Sequence, residues 1–229
     1  MPVLENLNVQ ALFYITTSIL NTNDEIWWDR LDNIFFGRNE LPRQLKIHSN
    51  RETHFFNLTS GKEISSAYSA IHRLLKSKKQ EIRNKIIDGL FADTGISSSG
   101  RESHRFMSFE ELKRMGQSKS AIIGAHTHTH TPLSILSFEE QFEDIKKSKD
   151  ILEGLLKTRI NSFSYPFGGR KDYNSDSIKA SALMGFDFVC ANYYWQLHKW
   201  TNRLELPRAL VRNWELKTFK SNIEKFFKY

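Results

Sequence analysis

The sequence predicts an α/β fold with a largely parallel sheet, open or closed into a barrel, on three observations. Short apolar runs at residues 11–16, 121–125, 162–166, 186–191 and 209–211 read as buried strands. Segments of helical periodicity separate them. Two of the helices begin with the same four residues, Ser-Phe-Glu-Glu at 108–111 and 137–140, which put Ser at the N-cap and Glu at N3 of a capping box.

The elements follow in order. Residues 2–9 have helix-like apolar spacing at Val3, Leu4 and Leu7 and run directly into the strand at 11–16. This pairing reads as the second half of a βα unit whose first strand would precede Met1. From 24 to 106 the pattern turns aromatic and helical, with Trp27, Trp28, Leu31, Ile34 and Phe35 at helical spacing, then a polar region containing Pro42 and Gly61. One long helix is predicted at 66–90, where Ala67, Ala70, Ile71, Leu74, Leu75, Ile82, Ile86 and Leu90 form an apolar stripe opposite the lysines. A flexible loop at 95–100 (GISSSG) closes the span, which reads as a helical insertion. Strand and helix then alternate again. The helix opened at Ser137 is expected to reach Lys157 with Phe138, Phe142, Ile145, Leu152 and Leu155 or Leu156 inward.

Bulk properties restrict function only broadly. A chain of 229 residues fits one domain, and 39% hydrophobic with 26% charged residues describes a soluble globular protein. The net charge of +7 permits acidic partners, but the basic residues gather at 72–85 as the expected solvated face of a helix. With no accompanying recognition motif, nucleic acid is not an expected partner. Cys190, the single cysteine, rules out an intramolecular disulfide and is expected to be buried packing. No basic segment precedes an apolar core near Met1, and no run reaches the length of a membrane span, so no signal peptide or membrane anchor is expected in the chain as given.

The chemistry concentrates in Gly124-Ala-His-Thr-His-Thr-His-Thr-Pro132, which places three of the eight histidines at the end of an apolar strand. The C-terminal ends of strands are where α/β barrels hold their active sites. In an extended segment His126, His128 and His130 would share one face; in a helical turn only His126 and His130, four apart, would converge. Either arrangement makes a site for a divalent cation, zinc first, which takes neutral imidazoles and needs about three protein ligands plus an open position. A second signal is Phe163-Ser-Tyr-Pro-Phe-Gly-Gly169, a strand that stops abruptly and exposes backbone, so that the Phe167 N–H could face a developing oxyanion.

Taken in order, ALFYITT, IGAHTHTHTPLS, FSYPFGG, GFDFVCAN and LPRALVRNW resemble the polysaccharide deacetylases, the carbohydrate esterase 4 group with the NodB homology domain. The Trp-Trp-Asp at 27–29 resembles a subgroup carrying a helical insertion after its second strand. The resemblance implies a distorted (β/α) barrel, here with its first strand missing and residues 24–106 inserted, forming a single catalytic domain over 1–229. It implies removal of N-acetyl groups from a polysaccharide or oligosaccharide with the help of zinc or a similar ion. His126 and His130 match the two metal-binding histidines, with His128 a neighbour. Tyr165, Pro166 and Phe167 match the substrate-binding turn, Phe167 lending its backbone N–H to the acetyl oxygen.

Departures from the pattern set further expectations. Nothing near the N-terminus resembles the strand ending in Thr-Phe-Asp-Asp that supplies the family's general base and third metal ligand, and Met1 is expected to fall just after it. The general base is therefore unknown, and the chain by itself is expected to bind metal weakly and turn over little. Asp172 or Asp176 would be substitute carboxylates. The arginine that many members place two residues before the proline of the third motif is Ser164 here, and no late histidine stands in LELPRALVRNW to act as general acid. Two rivals remain: an inactive carbohydrate-binding protein using Trp27, Trp28, Tyr193, Tyr194, Trp195 and Trp200 as stacking surfaces, and an amidohydrolase-type metal barrel built on His126 and His128, for which only His198 remains downstream.

Overall fold

The computed structural model describes residues 2–37, 40–49 and 52–227. In chain order the elements are α1 (Pro2–Asn6), β1 (Ala11–Ile15), α2 (Trp27–Phe36), β2 (Gln44–Ser49), β3 (Glu52–Asn57), α3 (Gly61–Lys76), α4 (Gln80–Thr94) and α5 (Phe109–Gly116). They continue with β4 (Ala121–Ala125), α6 (Phe138–Leu156), β5 (Ser162–Ser164), α7 (Ser175–Leu183), β6 (Phe188–Cys190) and α8 (Leu216–Phe226). Two compact units result, Met1–Thr17 with Lys113–Tyr229, and Ser18–Leu112.

The first unit is built on a parallel sheet in the order β1-β4-β5-β6. Helix α6 joins β4 to β5 and α7 joins β5 to β6, the βαβ connection that parallel strands require. This is the α/β architecture the alternation predicted. At Gly124 the sheet needs a bare Cα, since an added Cβ would lie 2.6 Å from the Tyr14 ring and 2.7 Å from Ser162 Oγ. The capping box opening α6 is complete: Ser137 N–H donates to Glu140 and Glu140 N–H to Ser137 Oγ. Its inward face is more polar than predicted. Gln141, Asp144 and Ser148 are buried beside Ile145 and Leu152, while Phe138 and Phe142 are half-buried.

The predicted strand at 209–211 does not form. Pairing occurs earlier, where Leu206 bridges Cys190 and exchanges main-chain hydrogen bonds with Val189 and Ala191. Pro207 has no N–H with which to extend the ladder, and Leu210 and Val211 are left exposed. Cys190 is buried as expected, its sulfur accepting the Tyr14 hydroxyl at 3.1 Å.

The second unit corrects two readings. Gln44–Ser49 and Glu52–Asn57, within a span read as polar connection, form an antiparallel pair in which Gln44 faces Asn57 and Ser49 faces Glu52. Leu45 and Ile47 are buried and their neighbours exposed, the period of two of a half-buried strand. The long helix predicted at 66–90 is two helices. Ser77 ends α3 by donating its hydroxyl to the Leu74 carbonyl, and Ser77-Lys78-Lys79 offers nothing apolar to bury. The break lets α3 and α4 pack separately on α2, with Ile71 and Leu75 buried on one and Ile87, Leu90 and Phe91 on the other. The basic stretch is not wholly solvated: Arg83 is 2% exposed, its guanidinium 5.2 Å from the Trp27 ring centroid. The capping box at Ser108 and Glu111 forms as predicted. Among the described residues no helix is long and apolar enough to cross a membrane.

Candidate metal centre

The site forms where the strands of the first unit end. The His126 N–H donates to the Ile15 carbonyl, carrying the β1–β4 ladder one step past Ala125. The His126 Nδ1 lies 2.6 Å from the Ser164 carbonyl at the end of β5. A carbonyl only accepts, so Nδ1 carries the proton and Nε2 keeps its lone pair, the tautomer in which histidine ligates metals. Desolvation, set against this hydrogen bond and reinforced by the nearby charge of Arg208, lowers the His126 pKa to about 4. The ring is thus a neutral donor at physiological pH.

The segment after it is neither helix nor strand. Thr127 and His130 both adopt left-handed backbone, with φ of 61° and 52°. The buried Thr127 hydroxyl accepts the His130 N–H at 3.0 Å, and its carbonyl accepts the Thr17 N–H. The turn sets the His130 ring edge-on to His126, with centroids 4.8 Å apart. His128 points elsewhere, its Nδ1 2.9 Å from Thr17 Oγ1. Of the two geometries open to the sequence, the structure thus brings together the pair four apart.

Phe167 completes the cluster, its ring 4.9 Å from that of His130. It sits at the centre of a tight turn with φ of 60°, closed by the Gly168 N–H donating to the Pro166 carbonyl at 2.6 Å. Left-handed backbone at Phe, Thr and His is strained, and such residues cluster at functional sites. Asn192, just past β6, fixes the turn by donating Nδ2–H to the Phe167 carbonyl and its own N–H to the Gly168 carbonyl. Gly168 is itself left-handed, and a Cβ there would meet the Asn192 nitrogen at 2.9 Å. Tyr165 and Pro166 are buried. The Tyr165 ring stacks on Tyr173 and its hydroxyl donates to the Leu204 carbonyl, so it supports the turn from beneath.

Three contributors escaped the sequence reading. Arg208 donates to Ser164 Oγ at 2.9 Å and to the Ala191 carbonyl at 2.8 Å, and lies over the Tyr14 ring, joining the ends of β1, β5 and β6. Its signal was a cation directly after Leu-Pro in an apolar segment. Asn192 had none. Asp144, on the buried face of α6, holds Thr129 and was masked by the aromatic stripe beside it. The proposed substitute carboxylates are engaged elsewhere or exposed: Asp172 Oδ2 accepts the Gly169 N–H, and Asp176 lies exposed in the first turn of α7.

As a donor set, His126 and His130 fit a divalent cation as two of its ligands: adjacent rings, the first held neutral in the ligating tautomer. Among the described residues no group of three or more His, Cys, Asp or Glu side chains is placed so that it could hold a metal ion.

The sequence profile described as Polysaccharide deacetylase matches residues 1–189. The chain belongs to this family. The de-N-acetylase of Aggregatibacter actinomycetemcomitans is 14% identical with a TM-score of 0.50, over 96% of this chain and 67% of that one. The BpsB deacetylase domain of Bordetella bronchiseptica is 16% identical with a TM-score of 0.50, over 92% and 64%. Both share the fold. The Streptococcus pyogenes deacetylase PplD is 21% identical over 56% of this chain with a TM-score of 0.48, and the match spans 54% of its length. No match is found among curated proteins.

Proposed function

We propose that this polysaccharide deacetylase family member acts on N-acetyl groups of a polysaccharide or oligosaccharide in a metal-dependent hydrolysis, with His126 and His130 as two ligands of a divalent cation, zinc first. The observation that carries this reading is the His126–His130–Phe167 cluster, three rings in edge contact on two strained turns at the ends of neighbouring strands. A cation held there supplies Lewis acidity and lowers the pKa of water. The chain's own groups do the rest. Ser164 orients the first imidazole through its carbonyl, and Arg208 anchors Ser164 through its hydroxyl. The Phe167 turn, fixed by Asn192, presents its backbone N–H to the acetyl oxygen as charge develops. Tyr165 and Pro166 shape the substrate site by holding that turn.

No carboxylate joins the two imidazoles among the described residues, so turnover by the chain as it stands is expected to be low. Base catalysis alone typically contributes about 10²–10⁴-fold. The test is acetate release from N-acetylated oligosaccharides by the purified chain, with and without zinc, alongside direct zinc titration. Zinc binding that disappears in His126→Ala and His130→Ala supports the reading, and equal binding by both variants and the parent removes it. A second reading, carbohydrate binding without catalysis, is favoured by the exposed rings of Tyr194, Trp195 and Trp200. Oligosaccharide binding that persists in the histidine variants without acetate release would select it.

A further inference from the structure

The segment between the two histidines hangs from one residue of α6. Asp144 is 9% exposed. Its Oδ1 accepts the Thr129 N–H at 3.0 Å, its Oδ2 lies 2.9 Å from the Thr129 hydroxyl, and its main-chain carbonyl accepts the His128 N–H at 3.1 Å. Three donors from two consecutive residues therefore end on a single side chain and its backbone. Among the described residues, its carboxylate hydrogen-bonds to Thr129 alone, and the charge of Lys147 acts on it from a distance. A buried carboxylate devoted to one loop is costly unless holding that loop matters.

The loop itself needs holding. Left-handed backbone at Thr127 and His130 is strained and persists only where the surroundings over-determine it. The Thr127 hydroxyl restrains the turn on one side by accepting the His130 N–H. Thr129 and His128, gripped by Asp144, restrain it on the other.

We infer that Asp144 is a positioning residue for the metal centre: through Thr129 and His128 it sets the turn that brings the His130 ring against His126. The inference rests on the reading of those two histidines as ligands. Asparagine at 144 could still accept the Thr129 N–H and donate to its hydroxyl, whereas alanine would leave the part-buried Thr129 N–H without its acceptor.

The test uses the full chain as parent, Asp144→Asn, Asp144→Ala and Thr129→Val. Zinc is titrated in competition with a chromophoric chelator, at a temperature where circular dichroism shows each protein folded. Imidazole NMR spectra are recorded without metal. Asp144→Ala is expected to lose about 10–100-fold in zinc affinity, the range for groups that orient a ligand, while Asp144→Asn stays near the parent. The His130 ring signals should move in Asp144→Ala with metal absent, and those of His48 and His54 should not. Parental zinc affinity with unmoved His130 signals overturns the inference. Should Asp144→Ala not fold, Thr129→Val, which removes the hydroxyl's contacts to Asp144 and Thr131 but keeps the N–H, is expected to weaken zinc and shift His130, and parental behaviour in it is equally fatal. If the parent binds zinc no better than a His126→Ala/His130→Ala variant, the metal reading fails, and the metal-free His130 signals alone decide whether Asp144 positions the ring.

Discussion

The two units treat backbone strain differently. Among the described residues of Ser18–Leu112, Asn21 is the one non-glycine with a left-handed backbone, and Asn tolerates that conformation well. In the other unit Asn8, Thr127, His130, Lys157 and Phe167 adopt it; β-branched Thr127 and bulky Phe167 tolerate it poorly, and with His130 their rings and hydroxyl meet in one cluster. Buried charge differs in the same way. Glu25 in the second unit is closed into a two-pronged ion pair by Arg101, with contacts of 2.8 and 2.7 Å. Burial alone would raise its pKa, but the guanidinium and the Arg101 N–H hold it below the usual carboxylate range. Among the described residues Asp144 forms no such pair, and desolvation raises its pKa to about 6 against the hydrogen bonds from Thr129 and His128 and the nearby charge of Lys147. At Glu25 the second unit neutralises its buried charge with an ion pair, while at Asp144 the first spends desolvation on holding a strained turn.

Four perturbations sharpen that contrast. The largest effect is expected from His126→Ala with His130→Ala, which should cut zinc affinity by more than about 100-fold, beyond the range for supporting residues, while Glu25→Gln leaves it unchanged. Competition titration measures both, and a loss in the Glu25 variant would blur the distinction. Next, Glu25→Ala should destabilise by about 2 kcal/mol, less than the ~3–5 of a fully buried pair because the Arg101 side chain is 30% exposed. Denaturant unfolding reads it. Gly124→Ala should cost about 1–3 kcal/mol by driving a methyl into Tyr14 and Ser162, with the zinc midpoint shifting as β4 is displaced.

The smallest effect is a pH dependence. His126 falls from 6.5 to about 4 on folding, so between those values the unfolded chain takes up a proton that the folded one refuses. Its contribution to stability is complete above about pH 6.5 and shrinks as the pH falls towards 4. Asp144, raised from 3.8 to about 6, acts in the opposite direction over nearly the same window, since there the folded state holds the extra proton. The parent should therefore show a shallow slope between pH 7 and 5, and Asp144→Asn a steeper loss on acidification, in urea midpoints at the two pH values. Equal slopes would show that the two groups do not offset each other.

Much of the first unit was legible because its strands are short apolar runs and its helices carry explicit start signals. The second unit was less so. The Leu45–Ile47 alternation was hidden among polar residues, and the end of α3 at Ser77 depends on a hydroxyl that any helix could carry. At the site, His126, His130 and Phe167 were visible as motifs, whereas the separation of His128 from its neighbours required the positive φ at Thr127, which no residue preference announces. Arg208 and Asn192 act across the sheet from β5, and contacts of that kind leave no local periodicity to find.

Asn192 makes the end of β6 a gauge for the site. With the Phe167 and Gly168 carbonyls both bonded to one residue, the turn cannot shift without dragging the last strand of the sheet along. A one-residue slip of β6 against β5 would carry that anchor about 3.3 Å along the strand. The proposed site would come apart while the helices stayed in place, so sequence changes around residues 186–192 would retune the proposed chemistry without touching a histidine.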